Sequence, residues 1–217
     1  MEAFKSGEME FQKGATLMAE GVNSPHMYTV LSGMGLRYKT LENGERQVLS
    51  FVLPGDFIGL QAGIMNEMKH SVEASQTMRL CVFDRAQLWT LFASHPGRAY
   101  DVTWISAVEE YFLGESLSIV ARMSGEERIA EAYLRLYERG RSLDMLVDGK
   151  MPLPYRQQDL ADALGLSLVH TNKTIASLRE RRIASWQKGM LRIWDIEKLK
   201  DLTSDTESVT SVMRPLI

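Results

Sequence analysis

Residues 157–182 read QQDLADALGLSLVHTNKTIASLRERR, and their types and spacing suit the reading of DNA. Leu160, Ala161 and Leu164 make a short amphipathic helix that meets Gly165, and a second helix starts after Ser167. A small residue at Ala161 lets two helices cross closely, while Gly165 takes the left-handed conformation that turns the chain between them. Leu160, Leu164, Leu166 and Leu178 are the expected core of this helix-turn-helix, and Ser167 is the expected cap of its second helix. Helical spacing turns Thr171, Thr174 and Leu178 inward and leaves Leu168, Val169, His170, Asn172 and Lys173 outward. Valine offers an apolar contact to a thymine methyl, lysine donates to guanine, and His170 or Asn172 adds a polar base contact.

Ala184–Ile193 reads as a β-hairpin turning at Lys188-Gly189, which makes the unit a winged helix. Lys173, Arg179, Arg181, Arg182, Lys188 and Arg192 all lie on the second helix or the wing, where phosphates are met. The candidate DNA-contacting set is therefore Gln157, Ser167, Val169, His170, Asn172, Lys173, Arg179 and Lys188. The alternative is a small-molecule-binding regulatory module whose helix-turn-helix serves protein contacts.

No other residue pattern points to chemistry. There is no glycine-rich phosphate loop, no serine-nucleophile motif and no catalytic carboxylate pair, so an enzyme is not expected. His26, His70, His95 and His170 lack metal-ligand spacing, so neither a metal nor a cofactor is expected. Cys81 is the single cysteine, which rules out an intramolecular disulfide and a multi-cysteine cluster, and it reads as a small apolar core residue, with redox sensing as the alternative.

The elements that must carry the DNA-reading unit follow from composition. The chain has 217 residues, 45% hydrophobic and 24% charged, as in ordinary globular proteins. The net charge of −3 is unevenly spread. Residues 1–124 carry −4, whereas residues 166–192 hold six basic residues against one acidic and form a basic island. No apolar run approaches the ~18–20 residues of a membrane helix, and the start lacks a signal peptide's basic and apolar regions. A cytoplasmic protein with no membrane partner is expected.

The first half alternates glycines with short β-rich segments at 16–18, 27–31, 36–41, 48–53, 57–58 and 80–83, the pattern of a compact antiparallel roll. Asn43-Gly44 is a hairpin signal. Residues 85–94 have helical spacing, ending near His95-Pro96-Gly97. A long helix follows over 99–122, in which Val102, Ile105, Glu109, Phe112, Ser116, Ile119 and Met123 fall on an a/d seam. That seam predicts a homodimer joined through Val102, Ile105, Phe112 and Ile119; packing within the chain is the alternative. Ser124 and Glu127 form a capping box for the next helix, which ends near Gly140. The expected divisions are 1–98 for the roll, 99–123 for the dimerisation helix, 124–202 for the winged helix, and a polar, loosely ordered tail over 203–217.

The stretches Phe11–Val22 (FQKGATLMAEGV), Val30–Met34 (VLSGM), Leu53–Leu60 (LPGDFIGL), Ser124–Glu131 (SGEERIAE) and Gln157–Leu168 (QQDLADALGLSL) carry a resemblance. In them, and in the order of elements over about residues 10–200, the chain resembles the cyclic-AMP receptor protein/FNR family of bacterial transcription regulators. The resemblance implies an α+β protein with an N-terminal cyclic-nucleotide-binding-like β-roll, a long dimerisation helix and a C-terminal winged helix-turn-helix. It also implies a homodimer on a two-fold symmetric site of double-stranded DNA, and RNA polymerase as a partner if the protein is an activator. The effector pocket it implies is Gly59, Leu60, Gln61, His70 and Ser71, with Leu113 and Gly114 on the long helix. Nucleotide-binding members place glutamate where Leu60 stands, arginine where His70 stands, and Thr-Ser where Leu113-Gly114 stands, so cyclic AMP is not the expected effector. One cysteine cannot ligate the iron–sulfur cluster of FNR itself. Where Val169 and Lys173 stand, family members commonly place glutamate and arginine, so a different half-site is expected.

Overall fold

The computed structural model describes residues 4–203; the tail expected to be loosely ordered lies, from residue 204 on, outside the described residues. Strands β1 (Lys5–Phe11), β2 (Thr16–Met18), β3 (His26–Ser32), β4 (Gly35–Thr40), β5 (Arg46–Val52) and β6 (Phe57–Ile58) come first. Helix α1 (Leu60–Met65) precedes β7 (Ser71–Ala74) and β8 (Met78–Asp84). These strands form two antiparallel four-stranded sheets, ordered β1-β8-β3-β6 and β2-β7-β4-β5. The expected roll is present, and the Asn43-Gly44 turn closes the β4–β5 hairpin with Gly44 at φ 82°. Strand β1 was not expected because its outer positions, Lys5, Glu8 and Glu10, break the apolar alternation. Charge there suits an edge strand, which it is.

Alternation along β8 separates two cores. Met78, Leu80 and Val82 join Leu17, Tyr28, Val30, Val52 and Val72 between the sheets. Cys81 and Phe83 point the other way and pack with Met27, Phe57, Leu88, Leu91, Val102 and Ile105. Both faces of β8 are therefore covered, which is why its sequence is almost continuously apolar. Burial also pushes the Cys81 thiol pKa up, in keeping with its role as core filler.

Leu88 and Leu91 belong to α2 (Leu88–Ser94), and Val102 and Ile105 belong to α3 (Pro96–Arg122). The helix α3 begins at Pro96 itself, a residue whose fixed φ and missing N–H suit the first helical position. No helix among the described residues is long and apolar enough to cross a membrane.

Two compact units result, residues 4–111 and 112–203, and the division falls inside α3 between Tyr111 and Phe112. The second unit continues with α4 (Gly125–Ser142), β9 (Met151–Pro152), α5 (Gln157–Leu164) and α6 (Leu168–Glu180). It ends with β10 (Ala184–Gln187), β11 (Met190–Ile193) and α7 (Ile196–Asp201). The capping box at α4 is formed: Ser124 Oγ accepts from the Glu127 N–H, and the Glu127 carboxylate accepts from the Ser124 N–H. Ile129, Tyr133, Leu160, Ala161, Leu178 and Leu191 fill the core of this unit, all at 2% exposure or less.

Candidate nucleic-acid interface

The helix-turn-helix is α5, Gly165 and α6. Arg156 and Asp159 open α5, the Arg156 N–H donating to Asp159 Oδ2 at 2.8 Å. Gly165 ends it at φ 62°, ψ 38°, the left-handed geometry that a side chain would strain. Ser167 then caps α6 by accepting from the His170 N–H at 3.2 Å. Thr171, Thr174, Ile175 and Leu178 face the core, as the spacing required. Leu166 is only half-buried, so it rims the core.

Val169 is 66% exposed, and His170, Asn172, Lys173 and Arg179 are also on the surface. Gln157, Asn172, Ile175, Ala176, Arg179, Trp186 and Gln187 line one groove between α5, α6 and the wing. The sequence reading missed Trp186 and Gln187 in this groove. No linear spacing reports which face of a hairpin leans on which helix. The wing is the β10–β11 hairpin, whose two-residue turn places Lys188 (φ 51°) and Gly189 (φ 72°) both left-handed. Trp186 anchors it, its buried indole N–H donating to the Leu153 carbonyl at 3.3 Å.

The six basic residues divide by what holds them. Lys173, Arg179 and Lys188 are exposed and stand on α6 or the wing tip. Arg181 is ion-paired with Glu126 of α4, and the Arg192 guanidinium lies 5.8 Å from the centroid of the Trp194 ring. Arg182 sits just after α6 in a left-handed conformation (φ 54°). The arrangement puts apolar and polar side chains on one exposed helix surface, with cations on α6 and at the wing tip.

The expected effector residues Gly59, Leu60, Gln61, His70 and Ser71 all lie in the roll. Gly59 is left-handed at φ 97°, and Leu60 packs on the Phe57–Phe83 cluster. Gln61 Oε1 accepts from the Lys69 N–H at 3.2 Å, and Ser71 Oγ accepts from the Glu20 N–H at 3.0 Å. His70 is pushed down to about pKa 4, first by burial and then by the Arg37 guanidinium, against the opposing pull of Glu20. Arg37, absent from the sequence reading, donates to Glu109 of α3 and to the Phe57 carbonyl, each at 3.0 Å.

The expected seam residues differ in how far one chain alone covers them. Val102, Ile105 and Ile119 are 2%, 7% and 7% exposed within one chain, and Phe112 is half-buried. Val102 and Ile105 pack in the roll's own second core. Besides Tyr100 and Tyr111, α3 exposes Leu113 (56%) and Leu117 (70%), with the small residues Gly114 and Ala121 also on its surface. A helix with apolar residues on several faces has more than one possible seam.

Known proteins share this architecture. Residues 8–95 match the cyclic nucleotide-binding domain family, and residues 127–202 match the Crp-like helix-turn-helix domain family. The chain is 30% identical over 199 residues to the nitrogen fixation regulation protein FixK of Rhizobium meliloti (strain 1021), covering 89% of this chain and 84% of that one. It is 26% identical over 196 residues to FixK of Bradyrhizobium diazoefficiens, covering 90% and 81%. Among solved structures, FixK2 from Bradyrhizobium japonicum superposes with a TM-score of 0.84 at 24% identity, covering 92% of this chain and 98% of that one. On its two domains, their order and this likeness, the chain belongs to the CRP/FNR family of DNA-binding transcription regulators.

Proposed function

We propose that the protein acts as a homodimer on a two-fold symmetric DNA site, in the cytoplasm, and that it works without cyclic AMP and without catalytic activity of its own. The observation that carries the reading is the split of α6: Thr171, Thr174, Ile175 and Leu178 are buried while Val169, Asn172 and Lys173 are exposed beside a basic wing. One such helix per protomer enters the major groove, and the two half-sites lie about one helical turn, ~34 Å, apart. RNA polymerase is the further partner if the regulator activates.

The dimer forms through the exposed face of α3, where Leu113 and Leu117 alternate with the small residues Gly114 and Ala121. Leu and small residues together let two helices approach closely and still bury apolar surface. Independence from cyclic AMP rests on Leu60, which packs into the apolar cluster, and on His70, which stays neutral beside Arg37. A neutral imidazole there gives a cyclic phosphate no charge to bind.

Selection of binding sites from random DNA tests the reading. A symmetric motif is expected, enriched equally with and without millimolar cyclic AMP. Enrichment of no sequence would overturn it and favour the use of the winged helix for protein contacts.

A further inference from the structure

We propose that His170 is a positioning residue and not a base reader: its ring seats the recognition helix α6 on the first turn of α4. The inference rests on the DNA-binding reading and changes which residues do the reading. A side-chain carbon on Gly125 would lie 2.1 Å from His170 Nε2 and 2.7 Å from Cδ2, so the ring edge occupies the space a β-carbon would need. Gly125 is the first residue of α4, and it carries no side chain that would compete with the ring for this space.

Two further ties end on the same turn. Glu126 pairs with Arg181, the residue that ends α6, and Arg128 Nη1 donates to the Leu164 carbonyl at the end of α5 at 3.0 Å. Three nearly consecutive residues of α4 thus hold the start of α6, its end, and the end of α5. The second Arg128 bond, from Nε to the Met123 carbonyl at 2.9 Å, ties the same side chain back to the residue after α3. Helix geometry agrees. Val169, Asn172 and Lys173 lie within about 100° of arc on α6, and His170 stands about 100° beyond Val169 on the flank facing α4.

A base reader and a seat fail differently when removed. Loss of a reader relaxes preference at one base pair, whereas loss of a seat lets the whole helix shift and weakens every position together. Gly125→Ala, His170→Ala and the double variant are compared with wild type by random-site selection and by fluorescence anisotropy on the wild-type site. His170→Ala should keep the same preferred base at each position, with specific affinity several-fold lower and non-specific affinity unchanged. Gly125→Ala should lose specific affinity several-fold, as His170→Ala does, because its methyl takes the space of the ring edge and unseats it. The double variant should bind no worse than either single variant, since both changes remove the same contact. Relaxed preference at a single base pair in His170→Ala would overturn the proposal, as would losses that add in the double variant. If Gly125→Ala does not fold, the selection profile of His170→Ala decides alone. Hydrogen exchange in the DNA-free protein separates the two readings: faster exchange of α6 amides in His170→Ala supports the seat whether or not wild type selects a sequence, and unchanged exchange overturns it.

Discussion

Arg37 and Glu109 meet at 3.0 Å, fastening strand β4 of the roll to helix α3 at the polar break in that helix's inward stripe. Arg37 is only 11% exposed along its side chain, and its other bond goes to the backbone carbonyl of Phe57. The guanidinium therefore depends on protein partners for most of its hydration loss. Glu109→Ala should destabilise the protein by roughly 1–3 kcal/mol, because it leaves a largely buried cation with one fewer partner. The midpoint of urea unfolding reports this, and an unchanged midpoint would show that the pair is solvent-equivalent.

His70 makes stability fall with acidity. Its pKa in the folded chain is about 4, lowered first by burial and then by Arg37, against an ordinary value near 6.5. Below pH 6.5 the unfolded chain takes up a proton that the folded one refuses. The contribution is thus complete above pH 6.5 and is lost as the pH drops toward 4, reaching roughly 2 kcal/mol by pH 5. His70→Asn should flatten the stability profile between pH 7.5 and pH 5, measured by denaturant unfolding at each pH. Parallel profiles for the two proteins would rule this out.

Thr171 carries a hydroxyl that costs stability. The residue is fully buried in the winged-helix core, and its Oγ1 has no hydrogen-bond partner. Replacing an unmade hydrogen bond by a methyl of similar shape should stabilise the protein by about 1 kcal/mol. Thr171→Val should accordingly raise the melting temperature and leave the selected DNA site unchanged, since the side chain faces inward. A lower melting temperature would mean that the hydroxyl is satisfied in solution.

Leu117 is 70% exposed on α3, on the face assigned to the second protomer. Leu117→Glu would place two carboxylates against each other across a two-fold seam, where neither is paired. Sedimentation should then show a monomer at micromolar concentration and loss of operator binding. A stable dimer with normal affinity would place the seam elsewhere.

Local chemistry made much of this protein legible from its sequence. Ser124 and Glu127, Gly165 with Ser167, and Lys188-Gly189 each satisfy a nearby backbone group or a fixed dihedral, so their roles follow from neighbours within a few residues. The inward spacing of Thr171, Thr174 and Leu178 is likewise a property of one helix. Relations between segments far apart in the chain were decided only by the tertiary structure. The long helix offers apolar residues on more than one face, and which face is covered depends on where Met27, Phe57, Leu88 and Leu91 stand, so Val102 and Ile105 turned out to be core. Arg37 meets a glutamate 72 positions away, and the His170 ring fills the gap left at Gly125. Periodicity reports that a side chain is apolar and which way it points on its own element, but only packing across the fold determines what it meets there.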